Sequence, residues 1–327
     1  MSIFDYTGHQ LQLYGVQKLI IAEGKGKGLE VLRVRNQSGL DFYLLIDRAL
    51  DFGQLLLNGV NLSYLSTAGY VHPHYYDYEG NGFLKSFTAG FMTTCGLTQV
   101  GSANNDNGEE LPLHGTVAHL PASNVSYKLT NDEIIIKGTI FDETIFAYKL
   151  VMERTIIVAL KENVIQIIDK ITNRGDLLTP HQIIYHCNFG YPFLNEKTKI
   201  KINSKNHYGR DENAKHFISE FDQIKPPTAG FVERCYFHQF DENKPGNAEI
   251  INDEMNIKVV LSFNPNDLNC LTQWNLFNKR DYVLGIEPGN AFPIGRSASR
   301  KEGSLQFINP NESVIHQLTI KFSEVKK

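Results

Sequence analysis

Three short stretches of the sequence hold side chains suited to moving protons. In "LPLHGT", residues 111–116, His114 leaves a polar loop and is followed by Gly115. In "IIYHCNFGYPFL", residues 183–194, His186 sits between an apolar run and an aromatic one. Strand alternation would put Ile184, His186 and Asn188 on one face and Tyr185, Cys187 and Phe189 on the other. Two successive polar positions on one face of an apolar strand need hydrogen-bond partners or a cleft to look into. In "YVLGIEPGNAFP", residues 282–293, Glu287 closes an apolar strand ahead of Pro-Gly-Asn. Each residue has an ordinary reading: a turn histidine, a satisfied core histidine, a strand-end glutamate at the surface. Each also has a chemical one. A desolvated carboxyl titrates nearer neutral pH, where it serves as a general base, and an imidazole can supply the matching acid.

Other candidates are weaker. "FVERCYFHQF" (231–240) carries Glu233, Arg234 and His238, and "LIDRALDFGQL" (45–55) carries Asp47, Arg48 and Asp51. Arg48 between two carboxylates reads as a structural ion pair, with a grip on sugar hydroxyls as the alternative. Cys95, in "FTAGFMTTCGL", has no basic neighbour in sequence to activate it and reads as a packing residue. His72, His74 and Glu79 in "HPHYYDYE" resemble half of a cupin metal motif. The second half has no counterpart, and no metal is expected. The four cysteines, Cys95, Cys187, Cys235 and Cys270, form no CxxC pair and are expected as free thiols.

These side chains need a scaffold, and the sequence describes one. Runs such as "LEVLRVRN" (29–36), "DFYLLIDRA" (41–49), "EIIIKGTIF" (133–141), "VIQIIDKITNRG" (164–175) and "SVIHQLTIKFSEV" alternate apolar and polar residues between turn signals. The first two should form a hairpin. The 20 Phe and 15 Tyr also favour strands. No amphipathic helix longer than about three turns is evident. Two loops, 66–82 and 101–113, interrupt the strands and are where binding groups tend to sit. No linker divides the chain, so one domain spanning 1–327 is expected. No P-loop and no GxGxxG follows a strand, and no cofactor is expected. The formal net charge of -4 argues against nucleic acid. No apolar window of 18 residues and no signal-peptide pattern is present, so the expectation is a cytoplasmic protein without a membrane partner.

His114 in "LHG", His186 in "YHCNFGYPFL" and Glu287 in "GIEPGN" together resemble the galactose mutarotase (aldose 1-epimerase) superfamily. That family has an early His-Gly, a later histidine in a context like "NHSYFNL", and a C-terminal strand glutamate in a context like "EPQ". "VERCYF" is similar to a "DRVY" segment of relatives, with Glu233 where those carry Asp. A bacterial branch of the superfamily is closer still: "DRALDFG", "AGFMTTCGL", "LHG", "IYHCNFGYPFL" and "EPGN" match its motifs in order.

The resemblance implies an all-β fold, a large antiparallel β-sandwich or supersandwich, with its site in a cleft across one sheet. It implies interconversion of the α and β anomers of a free sugar. Glu287 would take the proton of the C1 hydroxyl and His186 would protonate the ring oxygen, the two meeting across a sugar-sized groove. His114 would bind the sugar or share the acid role. Expected sugar contacts are Glu233, Arg48, Lys85, Trp274 and Asn290, with Tyr75 and Tyr76 as further stacking candidates. The family's sugar-binding arginine has no clear counterpart. Two alternatives follow: a carbohydrate-binding protein that keeps the cleft without catalysis, and a metal-dependent sugar isomerase built on His72, His74 and Glu79. The oligomeric state is left open.

Overall fold

Apolar alternation becomes strand nearly wherever it occurs. In Glu133–Glu143, Ile134, Ile136 and Ile140 turn inward while Glu133, Lys137 and Phe141 face out, the period-2 burial that a half-buried strand requires. The expected hairpin forms: Glu30–Arg35 pairs antiparallel with Leu40–Leu45. The computed structural model describes residues 3–325. Among them, two α-helices occur, Glu212–His216 and Arg296–Glu302.

Two large antiparallel sheets make up the β-sandwich. The eight-stranded sheet runs in the order Ala122–Leu129, Glu133–Glu143, Lys149–Ala159, Val164–Asn173, Ser313–Ser323, Ile257–Phe263, Gly246–Asn252, Thr198–Ile202. The twelve-stranded sheet contains five strands that carry the site, labelled here in chain order: β1 (Met92–Leu97), β2 (Thr179–Phe189), β3 (Arg234–Gln239), β4 (Cys270–Phe277) and β5 (Tyr282–Gly289). In space they run β1-β2-β5-β4-β3, and Asp51–Leu57 flanks β1. One continuous apolar cluster fills the space between the sheets, with Phe52, Phe91, Tyr185 and Phe189 meeting Ile136, Ile156, Ile167 and Leu318. All eleven residues of β2 are buried. Its inner face joins this core, and its outer face lies under the long loops.

A charged network crosses the core beneath β2. Arg154 is fully buried and grips Asp169 with Nε and Nη2 at 2.9 and 2.7 Å. Its Nη1 donates to Asp51 Oδ1 at 2.9 Å, and Tyr185 donates its hydroxyl to Asp169 at 2.8 Å. Burial pushes the Asp51 carboxyl up, while Arg154 and Thr94 pull it back toward the charged form. The local pairing expected around Arg48 is therefore corrected. Asp51 pairs with Arg154, and Asp47 accepts from the Glu30 amide at 2.7 Å. Ala49 and Leu50, both left-handed (φ 52° and 56°), separate Arg48 from Asp51.

The second of the two loops is braced rather than loose. Residues 101–113 contain a small hairpin, Asn104–Asp106 with Glu109–Leu111. Arg296 and Arg300 of the second helix clamp it through Asp106, at 2.6 and 2.7 Å. No described helix is long and apolar enough to cross a membrane. The four cysteines are free.

Buried histidines give the fold an acid sensitivity. Burial pushes His119 down to about 2, and His181, His186 and His238 to about 3. Unfolded, each takes a proton near 6.5. Between those values the unfolded chain binds more protons, so stability is full above pH 6.5 and is lost as pH falls, by up to about 1.4 kcal/mol per pH unit for each group. Asp142, which burial raises to about 6, and Glu287 pull the other way, but the histidines outnumber them. The melting temperature should decline steadily from pH 6.5 to 5 in calorimetry, before ordinary carboxylates titrate. A flat profile over that range would show that these imidazoles are not held neutral.

Candidate active site

Strand register brings the two principal candidates into contact. The β2–β5 ladder pairs Ile184 with Gly289 and Cys187 with Ile286, which sets His186 opposite Glu287. The same row continues to Thr93 on β1 and Thr272 on β4. Directly opposed residues share a face with their Cβ atoms about 5 Å apart, close enough for side chains to touch. His186 Nε2 lies 3.2 Å from Glu287 Oε1. The expectation of two groups facing each other across a groove is thus corrected: they stand side by side on its floor. Gly285 makes room for the carboxyl, since a Cβ there would sit 2.7 Å from Glu287 Oε1 and 3.0 Å from Trp274 Cβ.

The floor opens into a cavity of about 250 Å³, close to the small end of ligand pockets. Loop residues Leu113 and His114 form one wall, and Phe83, Leu84 and Phe87 form the roof. The His186 ring meets Phe87 and Trp274 edge-on, each at 5.4 Å, and the His114 ring at 5.7 Å. His114 is left-handed (φ 59°); its amide donates to Gly101 O at 2.8 Å and its carbonyl accepts from the Gly96 amide at 3.1 Å. It is a wall residue fixed at both ends of its backbone, not a solvated turn histidine.

The electrostatics suit proton transfer. Burial, and then the nearby His114, push His186 down to about 3. Burial, reinforced by the charge of Glu233, raises the Glu287 carboxyl well above its usual range, with Arg210 opposing. Burial pushes His114 down to about 4. The 3.2 Å contact is not aligned as a hydrogen bond, so Glu287 Oε1 is buried without a hydrogen-bond partner, and the other ring nitrogen of His186, Nδ1, is buried without one as well. Each such atom costs about 1–3 kcal/mol of stability, a penalty characteristic of groups kept for a ligand.

Glu233 and Trp274 also line the cavity. Glu233 is held by Trp274 Nε1 at 2.8 Å and by Arg210 Nη2 at 2.8 Å. Arg210 is the residue that sequence reasoning missed. It follows the strand Asn206–Gly209 and precedes Asp211, which caps the helix Glu212–His216 by accepting from the Ala214 amide at 2.9 Å. The capping aspartate in "YGRDEN" was a readable signal, but the contact with Glu233 spans 23 residues and leaves no local mark.

Three expected sugar contacts lie elsewhere. Arg48 is buried outside the cavity lining, donating to Val71 O at 3.0 Å. Lys85 is exposed and paired with Asp77 at 2.5 Å. Asn290 is a strut, accepting from the Ile183 amide at 2.7 Å and donating to His181 O at 3.2 Å. None of the three lines the cavity, so these expectations are withdrawn. Tyr75 is exposed, and Tyr76 stacks on His119 at 3.7 Å; neither lines the cavity. The His72 and His74 rings lie 4.1 Å apart, tilted by 34°. Among the described residues no group of three or more His, Cys, Asp or Glu side chains is arranged to hold a metal ion.

Comparison with known proteins agrees with this architecture. The sequence matches the family described as a domain of unknown function, DUF4432, over residues 26–322. No curated protein matches it. Similar solved structures include a protein from Klebsiella pneumoniae subsp. pneumoniae MGH 78578, provisionally named an aldose 1-epimerase. It is 25% identical, with a TM-score of 0.90, covering 95% of this chain and 84% of that one. A galactose mutarotase-like protein from Clostridium acetobutylicum is 13% identical, with a TM-score of 0.70, covering 96% of this chain and 100% of that one. The galactose 1-epimerase of Lactobacillus acidophilus NCFM is 13% identical, with a TM-score of 0.64 and the same coverage. The fold is galactose mutarotase-like.

Proposed function

The chain belongs to the DUF4432 family, and from that footing we propose that it interconverts the α and β anomers of a free sugar by acid–base ring opening. The observation that carries this reading is the contact of His186 with Glu287 on the floor of a monosaccharide-sized cavity. The two oxygens that exchange protons in anomer interconversion are bonded to the same carbon. The groups serving them must therefore be near neighbours, as these two are. The names of the structural neighbours, aldose 1-epimerase and galactose 1-epimerase, support the same chemistry.

The pair works as one unit carrying one proton. With the proton on the imidazole, Glu287 takes the C1 hydroxyl proton while His186 protonates the ring oxygen. With the proton on the carboxyl, the roles exchange. Either way one group gives as the other takes, the ring opens, the C1–C2 bond rotates, and closure on the other face reverses both transfers. General acid–base catalysis of this kind contributes about 100- to 10,000-fold. His114, at the wall, is the third group within reach of the ring, and Glu233 and Arg210 supply hydroxyl contacts.

The test is anomer exchange by NMR over a panel of aldoses, with and without protein, beside calorimetry of the same sugars. Acceleration of at least one sugar is expected. Tight binding with no acceleration would assign the protein to sugar binding instead.

The pH profile is a second expected outcome. The acid limb begins only when the imidazoles take an extra proton, and His186 and His114 are pushed down to about 3 and 4. The alkaline limb begins when the pair loses its proton, and Glu287 is raised. Activity should therefore pass through pH 6.5, the ordinary histidine value, without a break. A fall centred on 6.5, in the steady-state rate against pH, would show an ordinary histidine instead.

A further inference from the structure

Polar contacts at the cavity rim point to the charge of the substrate, an inference that rests on the anomer-exchange reading. Arg210 stands between two carboxylates: Nη2 is 2.8 Å from Glu233 Oε1 and 3.0 Å from Asp211 Oδ2, and Nε is 3.1 Å from that same Asp211 oxygen. Trp274 Nε1 holds the second Glu233 oxygen at 2.8 Å. Arg210 is the one Lys or Arg among the described residues that line the cavity. Lys85, beside the roof, is turned to Asp77 and is not in the lining.

We propose that the Arg210–Glu233 pair makes the cavity selective for an uncharged sugar that presents two neighbouring hydroxyls, and that Glu233 is the residue that excludes anionic sugars. A guanidinium offers five N–H donors, and a carboxylate oxygen has two lone pairs. Arg210 engages its partners through Nε and Nη2, which leaves Nη1 for a substrate oxygen. Each Glu233 oxygen receives one protein hydrogen bond and keeps a lone pair for a hydroxyl. Donor and acceptor thus lie side by side, the complement of a diol in which one hydroxyl accepts and its neighbour donates. Two protein donors fix the carboxylate in advance, so little ordering remains to be done on binding.

A phosphate or carboxylate on the sugar meets the opposite situation. It finds a guanidinium whose charge two carboxylates already offset, and beside it an acceptor with no proton to give. Repulsion in a partly desolvated cleft, and a donor demand the site cannot meet, then act against it. Discrimination built on polar groups left unpaired by the wrong ligand is strong, reaching about 10,000-fold in favourable sites.

The experiment is anomer-exchange NMR on matched probes: D-glucose and D-galactose against glucose 6-phosphate and galacturonate, with wild type and with Glu233→Gln. Wild type should favour a neutral sugar over its anionic counterpart by at least about 100-fold in kcat/KM. Glu233→Gln keeps the side-chain length but frees Arg210 from one of its two charges. The neutral-to-anionic preference should shrink at least 10-fold, through slower turnover of the neutral sugar and faster turnover of the anionic one. A wild type that turns over an anionic sugar as fast as its parent overturns the proposal and leaves the anomer-exchange reading standing, as does a folded Glu233→Gln with an unchanged preference. No acceleration of any aldose, neutral or anionic, removes both. Should Glu233→Gln fail to fold, the wild-type comparison alone decides.

Discussion

Arg154→Met is expected to lower the unfolding free energy by about 3–5 kcal/mol, because it leaves two buried carboxylates without their cation. Asp51 and Asp169 would keep only uncharged donors, those of Thr94 and the Tyr185 hydroxyl. Methionine fills similar volume without charge, so the loss reports the broken network and not a cavity. Urea unfolding measures it directly. The triple variant Arg154→Met with Asp51→Asn and Asp169→Asn should recover part of the loss, since removing a buried ionic network whole is far milder than removing one partner. A single-variant loss under about 1 kcal/mol would mean that the network contributes little. The network matters to the site because Tyr185 directly precedes His186 on β2 and points to the opposite face.

Glu287→Gln should slow anomer exchange by about 1,000-fold, and His186→Gln by a similar amount, each within the range of general acid–base contributions. The informative comparison is the double variant. Groups that act as a unit are grossly non-additive when removed, and these two share a 3.2 Å contact. The double variant should therefore be about as slow as either single one. Losses that multiply would mean that the two groups serve separate steps. Melting curves at pH 7 guard against unfolding, and both variants should be at least as stable as wild type if unpaired polar atoms at the site cost stability now.

Much of the scaffold was readable because alternation is local. The hairpin of Glu30–Arg35 with Leu40–Leu45 and the scarcity of helix follow from residue order alone. The site was readable only in part. His186 and Glu287 carry chemistry and sit in recognisable motifs, but their contact depends on the register between β2 and β5, strands far apart in the chain. No local pattern encodes it. β2 is harder still, since its two polar positions lie on a strand buried on both faces. Arg48 misled because two carboxylates flank it in sequence, whereas the fold supplies Asp51 with Arg154 from the opposite sheet. Lys85 and Asn290 were plausible by residue type, and their partners, Asp77 and the β2 backbone, decide otherwise. Arg210 went unseen because its importance lies in a distant glutamate.

The central claim is that a touching carboxyl and imidazole move both protons of ring opening. Two-dimensional exchange NMR on one aldose, with equal amounts of wild type and Glu287→Gln, addresses it most directly. Strong cross-peaks between the two anomers with wild type, and only the protein-free level with the variant, are the predicted result. Cross-peaks of equal strength in both samples would contradict it.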